Sequence, residues 1–316
     1  MTSSPQETIA PVSAPEKAPA PNTQQGPRLI RQLIASKGKA RRPDFYGIGA
    51  EKCGTTWLWQ MFRDHPEIGV SLPKELRYFA HRYLKTGFSD FAAIESLLSM
   101  PQAQRAKAPH LEQYLDRLAT ELRIAFGGDA AYLRIFGALK GKIVGDISPQ
   151  YCMLPPEGIA HMKRLAPEAK IIFLMRDPVE RAISAGKMKA SAENPELTDA
   201  RIRAKALIPF QLLMCRYTQV LEGFEAAFPS RIFTGFMDDI ITRPLGLMEE
   251  ICGFLDVGYK ADHFKRLNMI ANEGAQHSVG PDLKRELYDL LKDEYDLLES
   301  RFPERVALWR QKYEAL

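Results

Sequence analysis

From about residue 43 onward, short apolar runs alternate with longer stretches in which apolar residues recur at helical spacing. Phe45-Tyr46-Gly47-Ile48 reads as a short buried strand. A Gly-rich turn carries it into a segment where Leu58, Met61 and Phe62 share one helical face. Ile143-Val144, Ile171 to Met175 and Ile232-Phe233 are further strand-like runs, and Leu111 to Arg123 and Phe210 to Phe228 show helical periodicity. Strand and helix signals in alternation predict an α/β fold, a mostly parallel sheet flanked by helices. No internal repeat is present, and nothing after residue 43 resembles a linker. The spacing therefore predicts one domain over residues 43–316.

The preceding residues read differently. Residues 1–27 are rich in Pro, Ala, Ser, Thr and Gln and nearly free of large apolar side chains. Such a segment cannot offset its ordering entropy by burial, so a disordered tail is expected there. It also lacks the apolar core of a signal peptide. Residues 28–42 are a basic lead-in, with Leu29, Ile30, Leu33 and Ile34 as a short apolar stripe. A solvated lead-in helix is the plainer reading, and peripheral contact with an anionic membrane surface is the other.

Composition narrows the class. The chain is 45% hydrophobic and 26% charged, which is enough apolar residue for a full core. No apolar run approaches the roughly 18 residues of a membrane span. The formal net charge of +4 suits small anionic ligands better than a nucleic-acid backbone, so no nucleic-acid partner is expected. Cys53, Cys152, Cys215 and Cys252 are scattered, without a Cys-x-x-Cys pair, which predicts neither a zinc site nor a disulfide framework. A reducing, cytoplasmic compartment is the expectation.

The strongest local signal is Gly47 to Thr56, GIGAEKCGTT, between a strand and a helix. Glycines let the backbone curl so that successive N–H groups converge on an anion at the helix N-terminus. Thr55 and Thr56 add hydroxyls and Lys52 adds charge. An ordinary Gly-rich turn with a capping threonine is the bland alternative. Cys53 lies within the loop, but no base accompanies it, so small filler is preferred to a nucleophile. The order is not that of a Walker loop, because Lys52 precedes Gly54 by two residues rather than following it.

A second signal is IIFLMRDPVERAIS, Ile171 to Ser184. A buried strand ends at Arg176, Asp177 is a good helix cap, and Pro178 suits the first helical turn. That puts Arg176 at the carboxyl edge of a strand, where open α/β sheets bind ligands.

The two signals together resemble the sulfotransferases that use 3′-phosphoadenosine 5′-phosphosulfate (PAPS), particularly glycosaminoglycan-type and related bacterial enzymes. Lys52, Cys53, Gly54, Thr55, Thr56 and Trp57 match the family's 5′-phosphosulfate loop. There the lysine contacts the bridging oxygen, the glycine and threonines hold the 5′-phosphate, and the tryptophan lies near the adenine. Trp57 reads equally well as a core residue. Arg176 and Ser184 match the arginine and serine that hold the 3′-phosphate. Also similar are His65-Pro66, Lys74-Glu75 before Tyr78-Phe79, and Ser148-Pro149-Gln150-Tyr151. The resemblance implies a P-loop-type fold, PAPS as co-substrate without a metal, and a small-molecule or carbohydrate acceptor bearing a hydroxyl or amine.

Glu75 matches the family's catalytic glutamate, and His81 is the reserve base, as in histidine-using branches. Read from its neighbours alone, Glu75 is a solvated carboxylate paired with Lys74 or Arg77. Two features depart from the family: Ala185-Gly186-Lys187-Met188 replaces aromatic and His residues, and Asn268 to Gly280 lacks the late basic loop. Two rivals remain. One is a P-loop small-molecule kinase with Asp146 on magnesium, although Asp146 reads first as a structural strand-end carboxylate. The other is a nucleotide-binding protein without catalysis.

Overall fold

The computed structural model describes residues 39–71, 74–84, 127–267, 277–314 and 316. The expected tail, most of the basic lead-in, the helix over Leu111 to Arg123 and most of the late loop lie outside those residues. Arg41, near the end of the lead-in, is held by Asp44 and by the Gly141 and Lys142 carbonyls.

The strands are β1 (Phe45–Gly49), β2 (Ile68–Val70), β3 (Ile143–Ile147), β4 (Lys170–Met175) and β5 (Ile232–Phe236). They form one sheet in the order β2-β3-β1-β4-β5, and every pairing is parallel. β1 is buried along its whole length and β4 along all but its first residue. That explains why both read as continuous apolar runs rather than alternating ones. The three-residue edge strand β2 was not anticipated; Ile-Gly-Val is too short to carry a period.

The helices that position the site are α1 (Thr55–Asp64), α2 (Tyr78–Tyr83), α3 (Pro156–Leu165), α4 (Pro178–Glu193), α5 (Asp199–Ala206), α6 (Pro209–Leu213), α7 (Tyr217–Ala227), α8 (Met237–Thr242), α9 (Pro244–Leu255), α10 (Pro281–Glu299) and α11 (Pro303–Glu314). The single helix expected over Phe210 to Phe228 is two, α6 and α7. The break has a physical cause. In a continuous helix the Gln211 carbonyl would accept from the Cys215 N–H. It accepts instead from Arg181 Nη2 at 3.0 Å, while the Cys215 N–H turns to the Leu212 carbonyl. Glu294 then caps α7, accepting from the Thr218 N–H at 2.8 Å and its hydroxyl at 2.9 Å.

β1 and β4 are neighbours at the sheet centre, and the chain leaves them in opposite directions, β1 toward β2 and β4 toward β5. The crevice at their carboxyl ends is the topological switch point, where parallel sheets bind ligands.

Candidate active site

The loop leaving β1 has the conformation its glycines predict. Gly54 adopts φ 91° and opens α1. A Cβ there would meet Ile240 Cδ1 at 2.2 Å, so the position tolerates only glycine without rearrangement. Lys52 also sits in the left-handed region, at φ 71°, which is costly for a residue with a Cβ. The first N–H groups of α1 have no carbonyl partner within the helix, as at any helix start. Thr55 is buried and Thr56 half-buried. Burial pulls the Lys52 ammonium down from the usual lysine range; Glu51 opposes this, and Arg176 and Arg181 add to the depression.

Cys53 is enclosed, with its thiol 3.7 Å from the Tyr217 hydroxyl and pushed up by burial to about 11. This is an inert thiol. Trp57 is 4% exposed and donates to the Leu267 carbonyl at 3.1 Å, so it is packed as a core residue and ties α1 to the later chain.

The motif after β4 also folds as its sequence dictates. Asp177 caps α4, accepting from the Val179 N–H at 3.1 Å and the Glu180 N–H at 3.4 Å, with Pro178 in the first turn. Asp177 carries more than the cap, since it also accepts from Tyr295 (2.6 Å), Tyr313 (2.8 Å) and Lys312 (3.1 Å). The C-terminal helices α10 and α11 therefore hold the residue beside Arg176, which nothing in the local sequence announced. Arg176 is half-buried and pairs with Glu180 at 3.2 Å, one turn along α4. Ser184 lies half-buried further along the same helix.

One contact brings the motifs together. Lys52 Nζ lies 3.7 Å from Met188 Sδ, and Met188 stacks one turn beyond Ser184 on α4. Gly186 in the same turn admits α5 closely, since a Cβ there would lie 2.8 Å from the Ile202 carbonyl. The small residues that depart from the family pattern are used for this packing.

The acceptor-side candidates hang from the end of β3. Asp146 is fully buried and accepts from Tyr151 (2.6 Å), Ser148 Oγ (2.9 Å), Tyr132 (3.0 Å) and the Leu76 N–H (3.4 Å). Ser148 Oγ in turn accepts from the Arg77 N–H at 3.1 Å. The Ser-Pro-x-Tyr element thus clamps the backbone that carries Glu75 and Arg77, both at positive φ (66° and 54°). Asp146 is committed to this clamp, as expected of a structural carboxylate.

Glu75 is half-buried and paired with both cationic neighbours rather than one. One oxygen accepts from Lys74 and the other from Arg77 at 2.9 Å. Burial alone would raise its carboxyl; the two cations more than reverse this and hold it below the usual carboxylate range. His81 is half-buried on α2, and its backbone N–H donates to the Arg77 carbonyl at 2.9 Å.

A model described as the sulfotransferase family matches residues 43–261. The chain belongs to the sulfotransferase family. It is 27% identical over 212 residues to carbohydrate sulfotransferase 15 of Mus musculus, covering 61% of this chain and 36% of that protein. It is 29% identical over 142 residues to the membrane-associated sulfotransferase kil1 of Dictyostelium discoideum, covering 45% of this chain and 22% of that protein. The chain thus spans about a third or less of the length of these curated relatives. A sulfotransferase of Alicyclobacillus acidocaldarius shares the fold, with a TM-score of 0.60 and 22% identity over 85% of this chain and 99% of that one. Sulfotransferase membership agrees with the P-loop-type parallel sheet, in which the loop after the first strand faces the motif after the fourth.

Proposed function

We propose that this sulfotransferase moves a sulfuryl group from PAPS to a hydroxyl or amine of a small-molecule or carbohydrate acceptor. The observation carrying this reading is the convergence of the two anion motifs at one sheet edge. The Lys52 loop leaves β1, the Arg176 motif leaves the adjacent β4, and Lys52 meets α4 one turn beyond Ser184. A donor with phosphate at both its 3′ and 5′ positions fits two such sites better than ATP does. The carbohydrate class is supported by the name of the mouse relative, carbohydrate sulfotransferase 15.

In this reading the α1 N-terminus with Gly54, Thr55 and Thr56 holds the 5′-phosphate. Arg176 and Ser184 take the 3′-phosphate, with Arg176 giving up its half-buried pairing with Glu180 for the more highly charged phosphate. Trp57 and Cys53 support the loop after β1 from the core side, with the Cys53 N–H held by the Ala50 carbonyl at 3.2 Å. As the S–O bond breaks, charge grows on the oxygen left on the 5′-phosphate, and the protonated Lys52 stabilises it. A sulfuryl group carries less charge than a phosphoryl group, so lysine, arginine and backbone donors suffice for it.

Glu75 is the candidate base. Lys74 and Arg77 keep it ionised at neutral pH and hold its carboxylate in one orientation. His81, on the helix that follows, is the second candidate. The kinase alternative is weakened because the Asp146 oxygens are already engaged by four donors. The test is to incubate the protein with PAPS and a panel of sugars, phenols and amines, following adenosine 3′,5′-bisphosphate and sulfated product. Acceptor-dependent formation of both supports the reading; neither, across the panel, contradicts it.

A further inference from the structure

Asp177 is held by more groups than a helix cap needs. A capping carboxylate accepts from one or two N–H groups at the open start of a helix, and water can serve its other oxygen. Asp177 is 1% exposed, and among the described residues five donors meet it. Oδ1 accepts from the Val179 and Glu180 N–H groups and from the Tyr295 hydroxyl at 2.6 Å. Oδ2 accepts from the Tyr313 hydroxyl at 2.8 Å and from Lys312 at 3.1 Å. Burying a carboxylate is costly, and its partners do little more than offset that cost. What a fully satisfied network of this kind supplies is a single rigid geometry.

That geometry is imposed on Arg176. Asp177 follows it directly in the chain, so a carboxylate held by five donors restrains the main chain of Arg176 at the sheet edge. Arg176 is tied to the clamp a second time. Its Nη2 donates to Glu180 Oε2 at 3.2 Å, and the Glu180 N–H is itself one of the Asp177 donors, at 3.4 Å. The two phenols are fixed in their turn by the ring of Tyr288, whose centroid lies 5.1 Å from that of Tyr295 and 5.2 Å from that of Tyr313. Tyr295 and Tyr313 belong to α10 and α11, beyond residue 261, where the match to the family ends. The clamp on the residue beside Arg176 is therefore supplied by a part of the chain outside the matched segment.

We infer that Tyr295 and Tyr313 are positioning residues for the donor: through Asp177 they aim Arg176 at the 3′-phosphate. The C-terminal helices thereby set how well the protein tells a 3′-phosphorylated nucleotide from one that lacks this phosphate. This rests on the PAPS reading above. Neither phenol is assigned a contact with the donor; both hydroxyls are committed to Asp177.

The test compares wild type with Y295F, Y313F and the double variant, which keep the rings against Tyr288 and remove only the hydroxyls. Three quantities are read: the melting temperature, the affinities for adenosine 3′,5′-bisphosphate and for ADP by calorimetry, and the rate at which phenylglyoxal modifies Arg176 without nucleotide, followed by mass spectrometry. The double variant should bind the bisphosphate about tenfold more weakly while its ADP affinity stays that of wild type. Its Arg176 should be modified faster than in wild type. A pair that only stabilises the fold would lower the melting temperature and leave the ratio of the two affinities unchanged. That result, or an unchanged rate at Arg176, overturns the inference. Should the double variant not fold, the single variants decide: a reduced ratio in either supports the inference, and the wild-type ratio in both overturns it. If wild type itself does not favour the bisphosphate, the PAPS reading fails; the Arg176 modification needs no nucleotide and still decides whether the tyrosines act on Arg176.

Discussion

The Lys52 ammonium lies 3.7 Å from the Met188 sulfur, across the crevice between the loop after β1 and the helix after β4. Because Met188 is one turn beyond Ser184, the loop after β1 and the helix after β4 meet where the proposed donor site requires them to meet. The contact also leaves Lys52 without a carboxylate on its nitrogen among the described residues. That is the condition of a cation reserved for a ligand.

Lys52→Ala should therefore lower turnover far more than donor affinity, since its charge matters most on the breaking bond. Equal losses in both would make Lys52 a binding residue only. The pH profile adds a sign. Lys52 acts when protonated, and burial with Arg176 and Arg181 lowers its pKa. Activity should be full below that depressed pKa and fall above it, so the alkaline limb of kcat/KM should lie below the ordinary lysine range. A profile flat to the usual lysine pKa contradicts this.

Glu75→Gln keeps shape and removes the proton acceptor. General-base loss typically costs about 10²–10⁴-fold in rate, with donor affinity nearly unchanged because the base faces the acceptor. Near-normal turnover in this variant together with inactivity of His81→Ala would transfer the role to His81. Retention in both would remove both from the mechanism.

Asp146→Asn distinguishes the clamp from a metal ligand. It disturbs a buried carboxylate with four donors, and leaving such a group mispaired costs about 1–3 kcal/mol, readable as a lower urea midpoint. Loss of activity at unchanged stability, rescued by added magnesium, would instead revive the kinase reading.

Gly54→Ala tests the loop geometry. A left-handed backbone costs a residue with a Cβ about 1–2 kcal/mol, and the added methyl strikes Ile240. Donor affinity and stability should both fall. Gly54→Ala combined with Ile240→Val should recover only part, because the backbone strain remains. Full recovery would mean that the φ of 91° is not needed.

Some of this was legible in the sequence because it is local. Gly54, Thr55 and Thr56 stand between a strand and a helix, and Arg176-Asp177-Pro178 ends one strand and caps one helix, so each motif declares its own geometry. Buried strands such as β4 show themselves as unbroken apolar runs. What was hidden depends on distant partners. The tyrosines of α10 and α11 that hold Asp177, and the Asp146 clamp under Glu75, join residues separated by tens to more than a hundred positions. The split of Phe210 to Phe228 into two helices depends on Arg181 taking one carbonyl, which helical periodicity cannot reveal. A weak signal for Arg181 did exist: it is a charged residue on the apolar face of α4, between Val179, Ala182 and Ile183.

The most direct measurement is calorimetric titration of the purified protein with adenosine 3′,5′-bisphosphate and with ADP, each with EDTA and with magnesium. The 3′-phosphate should be held by Arg176 and Ser184 through charge-assisted hydrogen bonds, typically worth about 1.5–3 kcal/mol each. The bisphosphate should therefore bind more tightly than ADP by at least about tenfold, unchanged by EDTA, and Arg176→Ala should erase the difference. Equal affinity for the two nucleotides, or binding that requires magnesium, would contradict a PAPS site between β1 and β4.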